Sequence, residues 1–83
     1  MTEDPDLLLR EIGLRVLRRR EELGLTQQSL GDRLGIAPQN IYRIEHGQQN
    51  LTVRTLVKVA EALGVTAVAL MGGPEEPGRR TTP

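Results

Sequence analysis

The stretch Thr26–Gly47, TQQSLGDRLGIAPQNIYRIEHG, decides how this chain folds. Leu30 and Leu34 stand four apart and so share one face of a helix. Thr26 suits the N-cap of that helix, because its hydroxyl can accept from a first-turn N–H. Gly35 ends it, as the residue type that enters the left-handed region without strain. Ile36 is apolar and fits the angle between two helices. Pro38 belongs in the first turn of the second helix, where no N–H partner is needed. Ile41 and Ile44 give that helix its buried face, and Gly47 closes it. Gly31 sits inside the first helix, where glycine costs about 1 kcal/mol relative to alanine. Close approach of the second helix is the expected reason.

A short turn, a small residue and two crossing helices make a helix-turn-helix motif. The plain alternative is an αα-hairpin inside a small bundle. The run LGLTQQSLGDRLGIAPQNIYRIEHG resembles the helix-turn-helix of the phage repressor and Cro family of small bacterial transcription regulators (the XRE type). TQxxL, the turn glycine, the Ile-x-x-Ile-Glu ending and Gly47 fall in register, and the resemblance extends from Ile12 to about Leu70. Two positions depart from the pattern. Gly31 stands where the family usually has alanine, and Ala37 where it often has serine or threonine, which removes a cap and a phosphate contact.

Outward from this motif, the composition allows little else. Eighty-three residues make one small domain with little room for a catalytic cleft beside a core. There is no Phe or Trp and a single Tyr, so the core must be aliphatic. The absence of cysteine excludes disulfides, thiolate chemistry and Cys-based zinc sites, and fits a reducing cytoplasm. The acidic start MTEDPD lacks the basic region of a signal peptide, and no apolar run approaches the ~20 residues of a membrane span. The formal net charge is zero, which would allow a pure protein-interaction bundle. From Gly13 to Lys58, however, eight basic residues face four acidic ones, so a neutral chain can still present a basic face.

The expected architecture is all-α, with five helices in a repressor-like domain over residues 7–71. Residues 1–6 are expected to fray, and 72–83, rich in Gly, Pro and charge, to be a disordered tail. Asp6 would cap a first helix from about Leu7 to Leu23, with Leu9, Ile12, Val16 and Leu23 on its core stripe. Leu7, Leu14 and Leu17 project elsewhere, either as scattered exposed leucines or as a contact surface. Arg18, Arg19 and Arg20 read equally as a solvated run or as a phosphate-facing patch. After the polar loop, Thr52 caps a helix marked by Val53, Leu56, Val57, Ala60 and Leu63, and Gly64 stops it. Thr66 caps a last helix, Ala67 to Met71.

The site chemistry follows from the two motif helices. With Ile41 and Ile44 inward, Gln39, Tyr42, Arg43 and His46 point outward, flanked by Pro38 and Asn40. Glutamine or asparagine can bind adenine, and arginine guanine, through two hydrogen bonds in the major groove of double-stranded DNA. Gln39 and Arg43 are therefore the expected base readers, with Asn40 beside them and Pro38 limited to van der Waals contact. Tyr42 and His46 would reach sugar or phosphate. Gln27 and Gln28 open the first motif helix, whose free N–H groups suit phosphate. The resemblance gives Gln27 a DNA-backbone role. It also implies an ion pair between Arg20 and Glu45, although periodicity alone puts Arg19 nearer the apolar stripe. One histidine makes no metal site, and no glycine-rich phosphate loop or nucleophile–base pair is present, so neither metal, cofactor nor catalysis is expected.

The resemblance implies a transcription regulator that binds a pseudo-palindrome as a homodimer, its half-sites ~34 Å apart. Val65, Val68, Leu70 and Met71 of the last helix are the expected dimer surface, with Leu14 and Leu17 next. Some family members are antitoxins that also bind a toxin. Others control restriction–modification operons, some of which the NLTVRTL segment resembles. A toxin or polymerase is thus a possible protein partner, and no membrane is expected.

Overall fold

Asp4, not Asp6, begins the first helix. The computed structural model describes residues 4–74, and α1 runs from Pro5 to Glu22. The Asp4 carboxylate accepts from the N–H of Asp6 at 2.9 Å, and Pro5 takes the first helical position, where its missing N–H costs nothing. A sequence signal for this start was present in the Asp-Pro pair. The remaining elements are α2 (Gln27–Leu34), α3 (Pro38–Glu45), α4 (Val53–Leu63) and α5 (Ala67–Leu70), with no strand among the described residues. Residues 1–3 of the expected frayed start and 75–83 of the expected tail lie outside the described residues.

Each turn has a local cause. Thr26 caps α2 through its hydroxyl, which accepts from Ser29 N–H at 2.9 Å, while Ser29 Oγ accepts from Thr26 N–H at 2.8 Å. Gly35 closes α2 in the left-handed conformation, and Gly64 does the same for α4. Thr52 and Thr66 cap α4 and α5.

Helix α1 packs on α3, α4 and α5, and α2 packs on α3 and α4. The core they enclose is aliphatic: Ile12, Val16, Leu30, Ile41, Ile44, Leu56, Val59, Ala60, Leu63 and Leu70.

Several expectations need correction. Leu23 is exposed, since α1 ends at Glu22 and Leu23 is its C-cap, turned away from the stripe. Val53 and Val57 are exposed and Val59 is buried in their place, because the neighbours of α4 meet its 56–59–60–63 face. Leu70 is only 2% exposed and belongs to the core, so it cannot form a dimer surface. At Gly31, a Cβ would lie 2.3 Å from the carbonyl oxygen of Ile36 and 3.6 Å from Ile41 Cγ1. The close neighbour is therefore the turn itself, not the second helix.

Candidate nucleic-acid interface

Helix α3 has two unlike sides. Ile41, Ile44 and Glu45 are buried, whereas Gln39, Tyr42 and Arg43 are exposed. Pro38 and Asn40 are half-buried at the helix start, and Ala37 makes no side-chain cap, as its methyl group dictates. Gln39, Tyr42 and Arg43 share a shallow 420 Å³ hollow with Gln27, Pro38 and Gln48. This hollow joins the opening of α2 to the outer face of α3. Gln48 was missed by sequence reading, since a polar loop residue carries no periodic signal. Asn40 does not line the hollow. Gln28 lies further along, with Nε2 donating to Asp32 Oδ1 at 3.0 Å.

Glu45 anchors the helix from behind. Its side chain is fully buried and accepts three hydrogen bonds: Arg20 Nε donates to Oε2 at 2.5 Å, Arg20 Nη2 to Oε1 at 3.1 Å, and Gln27 Nε2 to Oε1 at 3.0 Å. This is the two-pronged geometry in which a guanidinium matches a carboxylate. Hydrogen bonding to Glu45 raises the Arg20 pKa above its ordinary value, against the opposing effect of burial, so Arg20 stays charged. A third Arg20 nitrogen, Nη1, donates to the carbonyl of Leu25 at 2.8 Å, tying down the loop before α2. Gln27 is thus partly a structural residue, which its place at a helix start did not suggest. Its half-buried amide links the opening of α2 to the end of α3.

Two glycines let α1 come close enough for this. A Cβ on Gly13 would stand 2.3 Å from the carbonyl oxygen of Ile44 and 2.6 Å from that of Glu45. A Cβ on Gly47 would meet the backbone of Arg10 at 2.8 Å, and Gly47 has a φ of +67° besides. Gly13 could have been found by the reasoning applied to Gly31: a glycine inside a helix, accepted despite its propensity cost.

The arginine run of α1 divides three ways. Arg20 turns to Glu45. Arg19 Nε donates to the carbonyl of Leu63 at 2.9 Å, at the end of α4, and its Nη1 pairs with Glu22 at 3.2 Å. Arg18 remains exposed. Arg19 and Arg20 are therefore not a shared phosphate-facing patch. Arg15 Nη1 similarly donates to Leu70 O at 3.3 Å, the end of α5. Cations at helix C-termini complement the negative end of the helix dipole.

At the far end of α3, the Tyr42 and His46 rings stack with centroids 4.0 Å apart, and His46 Nδ1 lies 2.9 Å from the Tyr42 carbonyl oxygen. These two expected DNA-backbone contacts thus form one plate, of which Tyr42 lines the hollow. Of the expected dimer residues, Val68 and Met71 are exposed and Val65 is half-buried. Val68 and Met71 border a 520 Å³ apolar groove with Leu9 and Val53, between α1, α4 and α5. Among the described residues no cluster of His, Cys, Asp or Glu could hold a metal, and no helix is long and apolar enough to cross a membrane.

Comparison with known proteins is consistent across sequence and structure. Residues 16–70 match the HTH_3 helix-turn-helix family. An uncharacterised HTH-type transcriptional regulator of Sinorhizobium fredii, y4dJ, is 40% identical over 65 residues, covering 78% of this chain and 84% of that protein. The restriction-modification controller C.AhdI of Aeromonas hydrophila superposes with a TM-score of 0.71 at 29% identity, over 75% of this chain and 94% of the controller. SinR, the master regulator of biofilm formation, crystallised with DNA, gives a TM-score of 0.67 at 31% identity, over 72% and 97% of the two chains.

Proposed function

Because the chain belongs to the HTH_3 helix-turn-helix family, whose members are DNA-binding transcription regulators and not enzymes, we propose that it grips a pseudo-palindromic operator as a homodimer in the cytoplasm. The observation that carries this reading is the division of α3. One side is fixed by a buried ion pair, while the other offers Gln39 and Arg43 exposed and with no side-chain hydrogen bond among the described residues. Arg43 reads guanine and Gln39 reads adenine in the major groove. Tyr42 and His46 lie along sugar and phosphate, Gln28 and the α2 N-terminus meet the backbone, and Gln27 holds α2 and α3 in register while doing so.

The dimer surface is the apolar groove edged by Val53, Val68 and Met71, not Leu70. It leaves three apolar side chains beside one another in water, which pairing of two copies would cover. A second reading has support of its own. Likeness to the restriction-modification controller C.AhdI favours control of such an operon, and adjacent nuclease and methylase genes are the expected context.

The deciding experiment is binding to the DNA upstream of the protein's own gene. Arg43→Ala should weaken binding there by about 1–3 kcal/mol and relax preference at one base pair per half-site, with little effect on unrelated duplex. Gln27→Ala should weaken related and unrelated duplex alike and lower the melting temperature as well, since Glu45 loses a donor. An equal loss on every sequence for Arg43→Ala would make Arg43 a phosphate clamp. Failure of both substitutions to alter DNA binding would remove this face from the interface.

A further inference from the structure

A second polar cleft lies between α1 and α5, and it shares no lining residue with the hollow on α3. Arg15, Arg18 and Arg19, spaced to fall on one side of α1, form one wall together with Glu22. Val65 and Ala69 supply an apolar strip, and the turn at Gly72 and Gly73 closes the far edge around a volume of 270 Å³. Two of the three guanidiniums are already held in place, Arg15 by the Leu70 carbonyl and Arg19 by the Leu63 carbonyl. Both retain N–H groups beyond those bonds, because a guanidinium has five. Arg18 makes no hydrogen bond or ion pair among the described residues. The cleft thus carries three positive charges against the single acid Glu22, which Arg19 already engages.

We propose that this cleft docks an acidic segment of a partner protein, its carboxylates on Arg15, Arg18 and Arg19 and an apolar side chain over Val65 and Ala69. Charge complementarity sets the sign of the occupant, and arginine fixed in advance loses less freedom on meeting a carboxylate. The apolar strip distinguishes a peptide from a nucleic-acid backbone, which has no side chain to lay there. The separation from the α3 hollow lets DNA and the partner be held together, and the inference does not depend on which residues read bases.

The test uses the full chain and a labelled peptide made of two Glu-Glu-Leu repeats, followed by fluorescence anisotropy and by amide shifts at Val65, Ala69, Gly72 and Gly73. The peptide should bind, move those amides and not those of α3, and be released as salt approaches ~0.5 M. Replacing each leucine of the peptide by glycine should weaken it. The milder Arg18→Gln should weaken it about threefold through loss of one exposed charge pair, and Arg18→Glu about tenfold, since charge reversal adds repulsion of the peptide's carboxylates. Arg18 is exposed, so both variants should keep the wild-type melting temperature and retention of the upstream DNA fragment. Loss of DNA retention in Arg18→Glu equal to the loss of peptide would make Arg18 a phosphate contact and overturn the proposal. Inorganic phosphate displacing the peptide at equal concentration would overturn it in favour of a small-anion site. Shifts at the same amides on Glu75→Gln/Glu76→Gln, with no response to added peptide, would assign the cleft to the chain's own acids and overturn it too.

Discussion

Two short helices rest on α1, and they are fastened in different ways. Helix α3 is held by a buried ion pair, by a glutamine from α2 and by backbone that touches backbone at Gly13 and Gly47. Helix α5, four residues long, is held by one buried leucine, a threonine cap and a single 3.3 Å hydrogen bond from Arg15. The difference matches what the proposed function asks of each. A helix that reads bases must keep its rotation and tilt, because hydrogen bonds fail within a fraction of an ångström. A helix that presents Val68 and Met71 to another copy needs only to offer apolar area, which is tolerant of small shifts.

The sharpest way to break the comparison is Glu45→Ala. It leaves Arg20 buried without its partner, and about 3–5 kcal/mol of stability should go, read as a large fall in melting temperature. An unchanged melting temperature would mean that the ion pair does not fasten α3. Next comes Leu70, the buried hydrophobic anchor of α5. Leu70→Ala should cost about 2–5 kcal/mol through lost burial and the cavity left behind. Two positions away, Val68→Glu should leave the melting temperature of the monomer nearly unaltered and shift sedimentation from dimer to monomer. A dimer that survives Val68→Glu would move the interface off this groove. The smallest effect belongs to Arg15→Ala, which removes one partly exposed hydrogen bond and should cost about 0.5–1.5 kcal/mol. A loss as large as that of Glu45→Ala would show the two helices to be fastened alike.

The parts of the molecule that could be read from sequence are those with local causes. Thr26, Gly35, Pro38, Thr52, Gly64 and Thr66 act on their own few residues, and the ends of α2, α3 and α4 follow from them. Which face turns inward was harder wherever apolar residues are dense. Helix α4 carries valines at 53, 57 and 59, so two adjacent stripes have similar apolar content, and contact with α1 and α2 selects between them. A four-residue helix has too few turns to reveal that Leu70 points in while Val68 points out. Arg19 and Arg20 are neighbours on a helix flank, about 100° apart, and long side chains can reach from either position. Only the placement of Leu63 and Glu45 decides which goes where. The link from Gln27 to Glu45 joins elements 18 residues apart and left no trace in spacing.

The absence of side chains at the Gly13 and Gly47 contacts bears on the thermodynamics of DNA binding. Where side chains separate two helices, rotamer changes can relax the spacing, and a ligand must spend part of its binding energy restoring order. Here carbonyl oxygens of α3 lie directly against α1, and no rotamer can absorb a shift. On the proposed interface, the ordering cost on binding should therefore be confined to exposed side chains such as Gln28, Gln39 and Arg43, at about 0.5–1.5 kcal/mol for each side chain immobilised. Calorimetry should accordingly find a heat-capacity change accounted for by the surface buried at the groove, with no added contribution from folding of the protein.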